Sequence, residues 1–112
     1  SDDSQFDTLV DFIETTENSK LRTKAFDATY AFLRRDRKRD SEDLADMWKA
    51  FAGTATTQKE KLQVIHGMAN QKHEWAISVL EFFIEDQDDK VIDKAERAKE
   101  IVERRLRELG GE

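Results

Sequence analysis

Apolar residues fall three and four positions apart along almost the whole chain, the spacing of helices that bury one stripe each. Phe6, Leu9, Val10 and Ile13 make the first run, which opens near the capping pair Ser4 and Asp7 and closes at about Thr15. A second run, opened by Asn18 or Ser19, puts Leu21, Ala25, Ala28 and Phe32 on one face and continues to about Lys38. Leu44, Met47, Trp48 and Phe51 follow a start at Asp40 or Ser41, and Gly53 supplies the stop.

Thr57-Gln58-Lys59-Glu60 has the capping-box pattern, in which the threonine hydroxyl and the glutamate carboxylate each accept the other residue's backbone N–H. It opens a fourth helix with Leu62, Ile65, Met68 and Ala69 on the buried stripe. Gly67 inside that helix costs about 1 kcal/mol against alanine, which predicts a closely packed neighbour. Between Trp75 and Ile84 only Ser78 and Glu81 interrupt an apolar run, so the fifth helix is expected at the centre, covered on several sides. Its aromatic and β-branched content also suits a strand, but no other segment could pair with one. The last helix starts at Asp88 or Asp89, carries Val91, Ala95, Ala98, Val102 and Leu109, and stops at Gly110-Gly111. The expected fold is all-α: six helices forming three antiparallel helical hairpins in a single domain over residues 1–112. The hairpins would make either a right-handed HEAT-like stack or a compact bundle.

One stretch repeats. Ser19-Lys20-Leu21-Arg22-Thr23-Lys24-Ala25 returns as Asp89-Lys90-Val91-Ile92-Asp93-Lys94-Ala95, and each copy follows a Phe-Ile-Glu step, at Phe12 to Glu14 and at Phe83 to Glu85. Two periods of about thirty-five residues suit stacked helix pairs. Asn18 to Ala25 resembles the second-helix signature of HEAT repeats, a family that favours an acidic turn, an aliphatic-Arg pair and an alanine three positions on. Asp88 to Ala95 is similar, with Ile92 in place of the arginine, whereas Leu62 to His66 keeps the spacing alone. A second resemblance covers residues 48–85. Trp48, Thr57, Glu60-Lys61, Leu62, Met68-Ala69, Lys72, Trp75 and Leu80 resemble the C-terminal helical domain of gluzincin zinc aminopeptidases. That resemblance implies a non-catalytic helical domain. No catalytic residue carries over, because His73-Glu74 is followed by Trp75-Ala76-Ile77 and never completes the H-E-x-x-H zinc motif.

Composition narrows the function. The 112 residues include no cysteine and no proline, so disulfides and thiolate metal sites are excluded and no helix carries a proline break. Charged residues make up 39% with a net charge of −6, which disfavours nonspecific nucleic-acid binding by the whole chain. No apolar run reaches the length of a membrane span. Ser1-Asp2-Asp3-Ser4 is acidic, unlike a signal peptide. A soluble chain in a reducing cytosol is the expectation. Acidic and basic segments alternate along the sequence, so antiparallel neighbours attract.

Candidate chemistry is thin. His66 and His73 are the only histidines, too few for a zinc site that needs three or four converging ligands. Asp86, Asp88 and Asp89 look like the start of a calcium loop, but Val91 and Arg97 stand where that loop needs glycine and glutamate; a turn and helix cap are expected instead. Arg34, Arg35, Arg37, Lys38 and Arg39 form a basic cluster that could meet an acidic partner or nucleic acid. Tyr30 and Phe32 precede it on a face assigned to the core, so no ring interleaves to stack a base, and the cations fit a helix C-terminus. No catalytic residue, metal or cofactor is expected, nor a membrane or nucleic-acid partner. The chain is expected to be a monomeric, non-enzymatic helical-repeat-like scaffold of designed origin with no evolved biochemical activity, given its helix-start caps and its lack of proline and cysteine. The alternative is a natural HEAT-like protein-interaction module, or a fragment of a longer solenoid, using the basic cluster for contact.

Overall fold

The computed structural model describes residues 2–36 and 38–110, which hold six helices and no strand. They are α1 (Asp2–Thr15), α2 (Ser19–Arg35), α3 (Ser41–Ala52), α4 (Gln58–Ala69), α5 (Glu74–Ile84) and α6 (Asp89–Leu109). Ser1, Arg37 and Gly111 lie outside the described residues. The chain divides into two compact units, Ser1–Thr54 with α1 to α3 and Ala55–Glu112 with α4 to α6. α3 and α4, the middle pair of the sequence, therefore fall in different units.

In the first unit, α1 and α2 run antiparallel. Near one end the Phe6 and Phe32 rings stack at 6.4 Å, and at the other the Arg22 guanidinium donates to the Ile13 carbonyl at 2.6 Å. Asn18 starts α2 by accepting the Leu21 N–H at 3.0 Å. The buried face of α2 is Ala25, Phe26, Thr29, Tyr30 and Leu33, which shares only Ala25 with the expected stripe; Phe32 is half-buried, Leu21 is 46% exposed and Ala28 is exposed. Two facts account for the rotation. The Thr29 hydroxyl donates to the Ala25 carbonyl at 2.7 Å, which satisfies it inside the core, and Phe26 packs on Phe51 at 4.4 Å. α2 also stops at Arg35, three residues before the expected Lys38. There the Asp36 carboxylate accepts the backbone N–H groups of Lys38 and Arg39, both at 3.0 Å, and closes a turn in place of another helical one. Asp40 then caps α3 by accepting from Glu42 and Asp43.

In the second unit, α4, α5 and α6 are each in contact with the other two. The core takes Val64, Ile65 and Met68 from α4, Val79, Leu80 and Phe83 from α5, and Val91, Ala95, Ala98 and Val102 from α6. The capping box at Thr57 and Glu60 forms in both directions, and Gly67 is buried. α5 is not covered on several sides as expected. Phe82 is 64% exposed because its position is a quarter turn and more from the face centred on Ala76 and Phe83. Leu109, expected in the α6 stripe, is 65% exposed. α6 has 21 residues against 12 in α4 and 11 in α5, so it runs about 31 Å and outlasts its neighbours.

Candidate functional site

The basic cluster lies at the α2 C-terminus and in the turn that follows. Arg34 and Arg35 occupy the last turn of α2, where cations favour the negative end of the helix dipole. Lys38 and Arg39 sit in the turn, while Arg37 is outside the described residues. The cluster is less uniformly available than its sequence suggests. Arg39 forms an ion pair with Asp36, whose side chain is only 8% exposed. The Arg39 guanidinium also lies 5.4 Å from the Phe32 ring centre, and that of Arg34 lies 5.4 Å from the Tyr30 ring centre. The two aromatic residues expected only in the core therefore also hold cations at its edge. Arg34, Arg35 and Lys38 remain exposed.

Asp36 is the centre of this turn. Burial pushes its carboxyl upward, but the backbone N–H groups of Arg39 and Lys38 and the Arg39 guanidinium outweigh that and hold it below the ordinary carboxylate value. The Tyr30 hydroxyl moves the other way: burial raises its pKa, with Arg34 opposing. Tyr30 belongs to a cluster with Phe26, Trp48 and Phe51, and its ring meets that of Trp48 edge-on at 6.0 Å. The Tyr30 hydroxyl and the Trp48 indole N–H are both buried without a hydrogen-bond partner among the described residues.

The histidines are not brought together as ligands. His66 is exposed on α4, and His73 is the N-cap residue of α5, its ring stacked on Trp75 at 5.2 Å. Among the described residues no group of three or more His, Cys, Asp or Glu side chains could hold a metal ion. The aspartates near α6 make a joint. Asp86 accepts Lys61 Nζ at 2.7 Å and the Asp88 backbone N–H at 3.1 Å. Asp88 accepts Gln58 Nε2 at 2.9 Å while capping α6 at the Lys90 and Val91 N–H groups. Both carboxyls are held below the ordinary range, Asp86 chiefly by Lys61 and Asp88 chiefly by Gln58. Asp89 is the exposed first residue of α6.

Sequence reasoning missed two arginines that fasten helices. Besides Ile13, Arg22 reaches the Thr54 carbonyl at 2.6 Å, so one guanidinium holds the ends of α1 and of the segment after α3. Arg105 on α6 donates to the Ala69 carbonyl at the end of α4. The signal for Arg22 was present in the Leu21-Arg22 pair of the repeat; Arg105 had none. No helix among the described residues is long and apolar enough to cross a membrane. No family model, curated protein or solved structure matches the chain.

Proposed function

We propose that this chain is a non-enzymatic, helical-repeat-type scaffold, with no evolved biochemical activity if designed and with protein contact as its role if natural. One observation carries the reading: five charged side chains that sequence chemistry could have offered to a substrate are engaged by backbone groups, and Arg39 and Lys61 are paired with carboxylates. Arg22 and Arg105 hold carbonyls, while Glu60, Asp36 and Asp88 hold N–H groups. Side chains held in this way are poorly placed to carry protons to a substrate.

Its origin we read as design. α2, α3, α4 and α6 each begin at a capping side chain, and caps, stripes and stops agree along most of the chain. A specific observation favours the second reading, a natural HEAT-like interaction module or a piece of a longer solenoid. Design practice excludes buried polar atoms without partners, and Tyr30 and Trp48 carry two. Arg22, at the arginine position of the HEAT-like signature, makes the clamp between helix ends, which suits the same reading. Arg34, Arg35, Lys38 and Arg39, with Arg37 between them, would then be the contact surface. The aminopeptidase-like residues 48–85 straddle the division at Thr54, so kinship there would rest on part of each unit.

A thermal melt combined with a sizing column separates the two origins. A cooperative monomer that survives beyond about 90 °C sustains design; a modest midpoint with concentration-dependent association sustains the natural fragment. Salt-sensitive retention of nucleic acid that disappears in Arg34→Ala/Arg35→Ala would replace a protein partner with a nucleic-acid one.

A further inference from the structure

A groove opens between α4 and α6 in the second unit. Its cavity is about 370 Å³ and is lined by those two helices alone, so it lies on the side of the three-helix unit away from α5. The walls are apolar: Leu62 and Ile65 from α4 and Ile101 from α6, with Leu62 and Ile101 only half-buried. Ala69 and Ala98 keep part of the lining low, which leaves room for a rod-shaped element to approach.

Charge distinguishes this groove from an incidental dent. His66, Lys94 and Arg97 line it, and none of its described lining residues is acidic, in a chain whose net charge is −6. The asymmetry extends along α6. At helical spacing, Lys90, Lys94, Arg97 and Arg104 fall on the strip centred on Ile101, whereas Asp93, Glu96, Glu100 and Glu103 fall on the strip beside it, with Arg107 as a cation among them. Arg97 pairs across that boundary with Asp93 at 3.0 Å, both side chains exposed, and Arg105 on the same strip is engaged with Ala69. From Lys90 to Arg104 the cationic row spans about 21 Å, four turns of helix. Glu108, in the last turn beyond Arg104, is the one acid on this strip. On α4 the flanking titratable groups are Lys59 and His66, and the acid of that helix, Glu60, is buried in the capping box.

We propose that this groove docks an amphipathic helix of a partner protein, with an apolar ridge against Leu62, Ile65 and Ile101 and carboxylates against the cationic row. An i, i+3/i+4, i+7 ridge matches a trough between two helices, and acidic flanks match its borders. A phosphate backbone would leave the aliphatic walls unused, which is why a protein helix is the occupant. The proposal rests on the interaction-scaffold reading above.

The test uses the full chain and three labelled probes followed by fluorescence anisotropy. One is a four-turn helical peptide with a leucine ridge and glutamate flanks, one is the same peptide with lysine flanks, and one is a single-stranded oligonucleotide. The glutamate peptide is expected to bind at least tenfold more tightly than the lysine peptide. Lys90→Glu/Lys94→Glu alters two exposed positions, and its helical content checks its fold. That variant should lose at least tenfold in affinity for the glutamate peptide and gain affinity for the lysine peptide. Equal binding of both peptides, or no change in the variant, overturns the proposal. So does an oligonucleotide that binds more tightly than either peptide and is lost in the variant. Failure of both peptides to bind a folded, cooperative monomer removes the groove alone; the scaffold reading falls instead if the chain turns over a substrate.

Discussion

At the scale of single residues, the aromatic cluster of the first unit contains a built-in defect. The Tyr30 side chain brings a hydroxyl into a site made by Phe26, Trp48 and Phe51, where that hydroxyl has no partner among the described residues. A buried polar group left unpaired costs roughly 1–3 kcal/mol, while the ring around it contributes packing. Tyr30→Phe keeps the ring and removes the defect, so it should raise stability by about 1 kcal/mol in urea unfolding. The same substitution bears on alkaline behaviour. The folded pKa of Tyr30 is raised, so the unfolded chain loses its proton first, and stability present below about pH 10 is lost as the pH climbs through the folded value. Tyr30 is the only tyrosine, so near-ultraviolet phenolate absorbance reports it directly. A destabilised Tyr30→Phe, or a phenolate that appears at the ordinary pH in the folded chain, would contradict this account.

At the scale of helices, four starts were readable because the groups that set them are neighbours in sequence, whereas α1 begins at Asp2, ahead of the expected Ser4 and Asp7 pair, and α2 stops short of Lys38. Asn18, Asp40, Thr57 and Asp88 each accept N–H groups within three residues, so capping could be seen without knowing the fold. Buried faces were less readable, since they depend on partners far away in the chain. α2 turned its face to include Phe26 and Thr29, and α5 exposed Phe82 because two neighbours cover only part of a helix. The candidate site divided in the same way. The cations of residues 34–39 were evident, but the use of Arg39 by Asp36 and Phe32 needed the turn, and the α4–α6 groove needed the two helices side by side. Phe82 and Phe83 make a direct comparison, being adjacent, identical in chemistry and 64% and 1% exposed. Phe83→Ala should cost about 3–5 kcal/mol through lost burial and the cavity left behind. Phe82→Ala should stay within about 0.5 kcal/mol. Comparable denaturant midpoints for the two variants would place the α5 face wrongly.

At the scale of the whole molecule, the same carboxylates that close turns also set the acid limit of stability. Asp36, Asp86 and Asp88 all hold their protons less readily in the folded chain than ordinary aspartates do. The unfolded chain therefore takes up protons first as the pH falls below about 4, and proton uptake pulls the equilibrium toward unfolding. Their contribution is complete above the ordinary carboxylate range and disappears as the pH drops through the folded values. Tyr30 closes the alkaline side with the opposite sign, so the melting midpoint should be flat from about pH 5 to pH 9 and fall beyond each end. General repulsion among the 19 Lys and Arg side chains would also lower stability in acid, so a variant is needed to separate the causes. Asp86→Asn/Asp88→Asn keeps an oxygen to accept from Lys61, Gln58 and the α6 N–H groups but removes the ionisation. Its midpoint should be lower than that of the parent at pH 7 and should converge on it near pH 2. If repulsion alone governed the acid limb, the two curves would instead run parallel across the whole range, and the turn carboxylates would have no part in it.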